Sequence, residues 1–98
     1  SWSASGLSLE EAVRRAENAG YVCVTQQIIG SAGTLVFSGR GSGSKGFTLY
    51  FGPATTIPQD QPGMRTLQDP ASGRALTIQS KDGSKRAADQ AAEALASP

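Results

Sequence analysis

Histidine is absent from this sequence, and its absence weakens the case for catalysis. General acid–base chemistry near neutral pH usually needs histidine, or carboxylates whose surroundings shift their pKa. The eight Asp and Glu residues fall mainly in predicted helices and turns, where contact with water explains them. We therefore expect that the chain is not an enzyme.

Cysteine is nearly absent as well, since Cys23 is the single one. One cysteine forms no internal disulfide, and one cysteine with scattered carboxylates is a poor set of metal ligands. The apolar neighbours of Cys23 predict a buried thiol rather than a reactive one. We expect no cofactor and no metal.

An excess of one charge is also lacking, because nine Lys and Arg stand against eight Asp and Glu for a formal net charge of +1. Nucleic-acid-binding domains are typically far more basic, so any electrostatic site must be local. No apolar run approaches the ~20 residues that span a membrane, and no leader pattern appears. We expect no membrane contact and, by default, a cytoplasmic location.

The length of 98 residues predicts one domain with a single core. Six aromatic residues and twelve glycines indicate a modest core with many turns. Because the chain begins at Ser1 without a methionine, we expect a trimmed chain or a domain excised from a larger protein.

The first half of the chain predicts a helix followed by three strands. Ser8 and Glu11 form a capping box, and apolar residues follow at helical spacing until Gly20. Tyr21–Ile29 is β-branched and aromatic, which indicates a strand covered on both faces. Residues 34–38 and 47–51 alternate as two further strands. On the first helix, Arg14 and Arg15 are expected to face water.

The second half predicts one more strand and a closing helix. Residues 52–73 contain four prolines and no periodicity, which indicates a long connection that Ile57, Met64 and Leu67 hold to the core. Arg74–Ser80 is the fourth strand. We predict an α+β fold over residues 1–98, with a four-stranded, mainly antiparallel sheet, two helices on one face and the order α-β-β-β-β-α.

The start of the last helix is the stretch that most suggests chemistry. Asp82 or Ser84 is placed to cap it, and Lys85 and Arg86 fall in its first turn, where the helix dipole disfavours cations. An anion in front of the helix would reverse that effect, so this end is a candidate phosphate site. Lys85 and Asp89 form an i, i+4 pair.

A glycine-rich loop is the second candidate contact. Residues 41–46 read G-x-G-x-x-G, but the motif leads into a strand rather than a helix, which excludes the dinucleotide-binding interpretation. A flexible hairpin tip fits better. Arg40 and Lys45 make this tip slightly basic and suited to touching a phosphate backbone.

Residues 84–95, S-K-R-A-A-D-Q-A-A-E-A-L, resemble the last helix of double-stranded RNA-binding domains, whose pattern reads S-K-K-x-A-K-x-x-A-A-x-x-A-L. The resemblance implies that Lys85 and Arg86 straddle major-groove phosphates while the alanines pack on the sheet. Asp89 departs from the pattern, because the family has a lysine in the second turn. The family's usual minor-groove loop also has a histidine, which this chain lacks.

The helix and the two strands that follow it carry a second resemblance. Leu9-Glu10-Glu11-Ala12-Val13 through Gly20-Tyr21, with the strands after it, is similar to PepSY-type modules, which are associated with peptidase propeptides and cell-envelope proteins. This resemblance implies a protein-binding or inhibitory role.

Two binding functions therefore remain. In the first, the chain contacts the phosphates of RNA or DNA through five residues: Ser84, Lys85, Arg86, Arg40 and Lys45. In the second, it binds another protein through the proline-rich connection or an open strand edge.

Overall fold

The computed structural model describes residues 9–30, 32–39, 46–58, 61–69 and 73–96. Its elements are α1 (Leu9–Asn18), β1 (Tyr21–Ile29), β2 (Ala32–Gly39), β3 (Phe47–Pro53), β4 (Met64–Asp69), β5 (Arg74–Ser80) and α2 (Lys85–Ala96). Ser8, the predicted cap of the first helix, lies outside the described residues.

The strands form one antiparallel sheet in the order β1-β2-β3-β5-β4. β1 to β3 run as a meander, and β5 lies between β3 and β4, so β1 and β4 are the two edges. Both helices pack on one face, with α1 against β1 and α2 against β4 and β5. The predicted α+β class with two helices on one face of an antiparallel sheet is confirmed.

The predicted number of strands is wrong, because β4 lies inside the proline-rich connection. This segment, M-R-T-L-Q-D, carries charge and follows the turn signal Pro62-Gly63, so its local composition favours a loop. It becomes a strand by pairing with β5, from Met64 opposite Gln79 to Asp69 opposite Arg74. The observed order is α-β-β-β-β-β-α.

The core lies between the sheet and the helices, and it combines large side chains from the strands with small ones from the helices. Phe37 and Phe47 stack with ring centroids 4.7 Å apart, and Tyr21 meets Phe47 edge-on at 4.8 Å. The helices contribute mostly alanine, which lets them approach the sheet closely. The buried core residues are Ala12, Ala16, Leu35, Phe37, Phe47, Leu49, Leu76, Ile78, Ala88, Ala91, Ala92 and Leu95.

The opposite face of the sheet is polar and uncharged at its centre. Tyr50, Thr77 and Thr66 lie side by side on β3, β5 and β4. The Thr66 and Thr77 hydroxyls are 3.0 Å apart, and the Tyr50 hydroxyl donates to the Gln79 side-chain oxygen at 3.3 Å. Because its hydroxyl has this partner, Thr77 is fully buried without an unsatisfied polar atom.

The prediction that β1 is covered on both faces is wrong. β1 is an edge strand, half-buried at its start and exposed from Val24 to its end. Cys23, predicted to be buried, is half-buried where the covered part of the strand ends. The apolar composition of this strand therefore does not reflect burial within the described fold.

Neither described helix has the length and apolar character required to cross a membrane.

Candidate functional site

The N-terminus of α2 is capped by the chain's own groups. The Ser84 hydroxyl accepts a hydrogen bond from the Ala87 amide at 3.2 Å, so Ser84 is the helix cap. The Asp82 carboxylate accepts from the Ser84 amide at 2.9 Å, which places a negative charge directly before the helix. The Ser80 hydroxyl donates to the Ser84 carbonyl at 2.7 Å and ties this turn to β5.

Lys85 does not stand alone at this end of the helix. Its Nζ lies 3.6 Å from Asp89 Oδ1, which confirms the predicted i, i+4 pair, and Arg65 donates to the same oxygen at 3.1 Å. The hydrogen bond from Arg65 holds the pKa of Asp89 below its ordinary value, and the charge of Lys85 adds to this effect. One carboxylate therefore faces two cations, and the cluster keeps one net positive charge.

Arg86 is exposed, and within the described ranges no ion pair joins it to another residue. Arg40 and Lys45, the two cations of the predicted hairpin tip, lie outside the described residues. The end of the tip is described, however. Gly46 accepts a hydrogen bond from the Lys81 amide at 3.2 Å, so this last residue of the motif lies beside the turn that leads into α2.

A shallow groove of about 760 Å³ runs between the start of β4 and the start of α2. Arg65 and Lys85 line it, together with Met64 and the backbone of Gly63 and Gly83. Arg65 is a residue that the sequence interpretation missed, because it lies in the segment that was expected to be a loop. Its charge was readable from the sequence, but its position opposite α2 depends on the pairing of β4.

The outer edge of β1 is the second candidate surface. The exposed large hydrophobic side chains of the described structure all lie on this strand, with Val24 at 56%, Ile28 at 41% and Ile29 at 87% exposure. Tyr21–Ile29 contains no charged residue and no proline. Charge and proline normally protect edge strands from pairing with other chains. Among the residues that the structure describes, no charge or proline on β1 and no further strand blocks pairing at this edge.

A β-bulge divides β1 into two parts. Cys23 lies opposite Phe37 and Thr25 lies opposite Val36, so Val24 is the extra residue. After the bulge the pairing with β2 is regular, up to Ile29 opposite Ala32. We call residues 25–29 with their outward-facing backbone groups the open β1 edge.

The direction of the backbone groups follows from the hairpin. Two residues connect Ile29 to Ala32, and in such hairpins the closing pair exchanges both of its backbone hydrogen bonds. Since the bonding direction alternates along an antiparallel strand, Gln26 and Ile28 direct their N–H and C=O groups outward. If Gly33 carried a β-carbon, that carbon would lie only 3.1 Å from Cα of Ile28. Such a close approach fits a pair of opposite residues that share no backbone hydrogen bonds, because the two backbones are nearer to each other at such pairs.

A hollow of about 240 Å³ lies beside this edge, between β1 and the outer face of α1. Gln26 lines it from the strand, and Glu10, Val13, Arg14 and Glu17 line it from the helix. Of these lining residues, Val13 is the one apolar residue, and the others carry charges of both signs or an amide. Within the described residues no group of three or more His, Cys, Asp or Glu side chains is placed to hold a metal ion.

Comparisons of this chain with protein-family models, with curated proteins and with solved structures found no match. By its architecture, the described part of the chain is an α+β fold with a five-stranded antiparallel sheet. The resemblances to double-stranded RNA-binding domains and to PepSY-type modules stay predictions.

Proposed function

We propose that this chain is a non-catalytic protein-binding module that takes up an extended strand of a partner at the open β1 edge. The observation that carries the proposal is the concentration of exposed large hydrophobic side chains on one uncharged edge strand. Strand addition at a sheet edge obtains affinity from main-chain hydrogen bonds and specificity from alternate side chains.

The open β1 edge supplies both kinds of contact. Gln26 and Ile28 direct backbone donors and acceptors outward, and no strand of the described residues pairs with them there. Such a row of donors and acceptors is the template that an added strand needs. The partner's side chains would alternate between the two faces of the sheet. On the helix face they would enter the hollow beside Gln26, and on the other face they would cover Ile29.

A proline at Gln26 tests this proposal, because proline has no amide hydrogen. Since the Gln26 amide faces outward, Gln26→Pro removes a donor from the open β1 edge but leaves the hydrogen bonds to β2 in place. Gln26→Ala is the matched control, because it removes the side chain and keeps the amide. Immobilised wild-type, Gln26→Ala and Gln26→Pro chains are incubated with the same cell extract, and the retained proteins are quantified by mass spectrometry.

We expect a set of proteins retained by the wild type and by Gln26→Ala, with at least about a tenfold loss on Gln26→Pro, as removal of interface main-chain bonds implies. Circular dichroism verifies that both variants keep the fold. Equal retention of the same proteins by all three chains would contradict the proposal.

A second candidate function is contact with nucleic-acid phosphates at the start of α2. It is favoured by the exposure of Lys85 and Arg86, by the net positive charge of the Arg65–Asp89–Lys85 cluster, and by the position of Gly46 beside the turn that leads into α2. Cations in such positions bind phosphates without reading sequence, and the affinity then falls steeply with salt.

Gel shifts at low salt test this candidate on single-stranded, double-stranded and hybrid substrates. Lys85→Glu with Arg86→Glu should abolish binding. Arg86→Glu alone is compared with Arg14→Glu, which reverses the charge of an exposed arginine on α1. No retention of any substrate by the wild type, or equal losses in Arg86→Glu and Arg14→Glu, would end this candidate.

A further inference from the structure

The two edges of the sheet differ in charge, and this difference bears on what pairs with β1. β4 carries Arg65 and Asp69, whereas β1 carries no charged residue. The whole chain has a formal net charge of only +1. Two copies of the chain therefore approach each other without strong long-range repulsion, and no like charges meet if two β1 strands pair.

We infer that the strand taken up at the open β1 edge is β1 of a second copy of this chain, joined antiparallel about a two-fold axis. This inference rests on the proposed strand addition and names its partner. The product is a dimer with one continuous ten-stranded sheet, in which the same surface of each copy is used.

The outward backbone groups select the register of this pairing. Gln26 and Ile28 both direct their backbone hydrogen-bonding groups outward. Gln26 therefore forms a hydrogen-bonded pair with Ile28 of the second copy, and Ile28 forms one with Gln26 of the second copy. This arrangement gives four interchain backbone hydrogen bonds. The two-fold axis then passes beside Gln27, which lies opposite Gln27 of the second copy.

The side chains are compatible with this register. Residues opposite each other in an antiparallel pair share a face, so Ile28 meets Gln26 on the helix face and Ile29 meets Thr25 on the other face. The two Gln27 amides meet on the axis, where each side chain has both a donor and an acceptor. Ile29, which is 87% exposed in the single copy, gains cover from the added strand.

The beginning of β1, at Tyr21 and Cys23, packs on the core, and the strand is exposed from Val24 onward. α1 reaches the pairing segment at Gln26, where residues of its outer side and the Gln26 side chain line the hollow. In the dimer, the hollow of each copy receives the Ile28 side chain of the other copy, because Ile28 lies opposite Gln26 on the helix face.

The dimer is tested first by its mass and then by a register-specific cross-link. Sedimentation velocity over a concentration series measures the mass of the wild type, Gln26→Ala and Gln26→Pro. For the cross-link, Gln27→Cys and Gln90→Cys are each made in a Cys23→Ser background and oxidised mildly. Gln90 is exposed on α2, away from β1, and so provides the matched control.

We expect a concentration-dependent dimer for the wild type and a monomer for Gln26→Pro. Gln26→Ala keeps the amide and loses only the side-chain contact with Ile28, so its dimer should be weaker by no more than about fivefold. Two residues at position 27 on a two-fold axis lie within the Cα range of a disulfide, so Gln27→Cys should cross-link at least about tenfold faster than Gln90→Cys. A wild-type chain that stays monomeric up to about 1 mM, or equal cross-linking rates, overturns the inference.

The two proposals fail in different ways. In one case the wild type is monomeric, but Gln26→Pro fails to retain proteins that the wild type retains from the extract. The partner is then not a second copy of this chain, whereas the proposal of strand addition at the open β1 edge is supported. If Gln26→Pro and Gln26→Ala retain the same proteins and the wild type is monomeric, both proposals are wrong.

Discussion

Gly63 is constrained both by its own backbone and by its neighbour. Its φ of +75° lies in the left-handed region, and a β-carbon there would lie 2.7 Å from the carbonyl carbon of Gly83. Gly63→Ala should therefore lower the free energy of unfolding by about 2 to 4 kcal/mol, through backbone strain and displacement of the turn before α2. Urea unfolding measures this loss.

Gly73 is the matched control for Gly63. Its φ of +71° is nearly the same, but among the described residues no atom lies within 4 Å of the position that a β-carbon would take. Gly73→Ala should cost only the conformational part, about 1 kcal/mol. Equal losses in the two variants would mean that the contact between Gly63 and Gly83 contributes nothing.

Asp89 gives a pH-dependent contribution to stability. The hydrogen bond from Arg65, the larger cause, and the charge of Lys85 hold its pKa below the ordinary value of 3.8. The folded state thus binds the proton less readily than the unfolded chain. The contacts of the Asp89 carboxylate with Arg65 and Lys85 therefore stabilise the folded chain fully above pH 3.8. This stabilisation is lost as the pH falls through the lowered pKa of Asp89.

The separate effects of the two cations are measurable by NMR titration of the Asp89 carboxyl carbon. Arg65→Gln should raise the pKa of Asp89 toward its ordinary value, and Lys85→Gln should raise it less, because the Arg65 hydrogen bond has the larger effect. A larger rise with Lys85→Gln would show that the contact between β4 and α2 is weak in solution.

Arg15 shows why single side chains were difficult to place from the sequence. Arg15 was expected to face water, but it is largely buried and donates to the Leu95 carbonyl at 2.7 Å. It also donates to the Glu11 carboxylate, whose pKa is lowered by the hydrogen bond from Arg14 and, to a smaller extent, by that from Arg15. Helical periodicity identifies the outer side of α1, but it does not reveal that the end of α2 lies against that side.

α2 begins where its sequence signals predict. Of the two candidate caps, the structure selects Ser84, whose hydroxyl accepts from the Ala87 amide. Ser84→Ala should destabilise the chain by about 1 kcal/mol, because one helix amide loses its partner, and Ser84→Thr, which keeps the hydroxyl, should cost much less. Urea unfolding of both variants measures the difference, and equal costs would argue against the cap.

β1 and β4 were misjudged for opposite reasons. β1 has the composition of a covered strand, so its lack of charge was interpreted as burial, but its place at the edge leaves that composition exposed. β4 has the composition of a loop and becomes a strand because β5 supplies the pairing partner. Local composition does not specify a strand's neighbours, and those neighbours decided both outcomes.

Across the whole molecule, the order β1-β2-β3-β5-β4 predicts that stability is concentrated at the centre of the sheet. Ile78 on β5 is fully buried, whereas Ile29 on β1 is 87% exposed. Ile78→Ala should lower the free energy of unfolding by about 2 to 5 kcal/mol. Ile29→Ala should change it by no more than about 0.5 kcal/mol, measured by urea unfolding at low protein concentration. Similar losses would mean that β1 is buried in the folded chain.

The sequence by itself determined which segments have strong local preferences: both helices, the two candidate caps before α2, the strands with alternating or β-branched residues, and the α+β class. These features depend on hydrogen bonds and periodicity within a few residues, so neighbours in the chain are sufficient to specify them. The tertiary structure alone decided the fifth strand, the insertion of β5 between β3 and β4, the meeting of Arg65 with Asp89, and the exposure of the uncharged β1 edge. These features join segments far apart in the chain, and only the packing of the sheet brings such segments together.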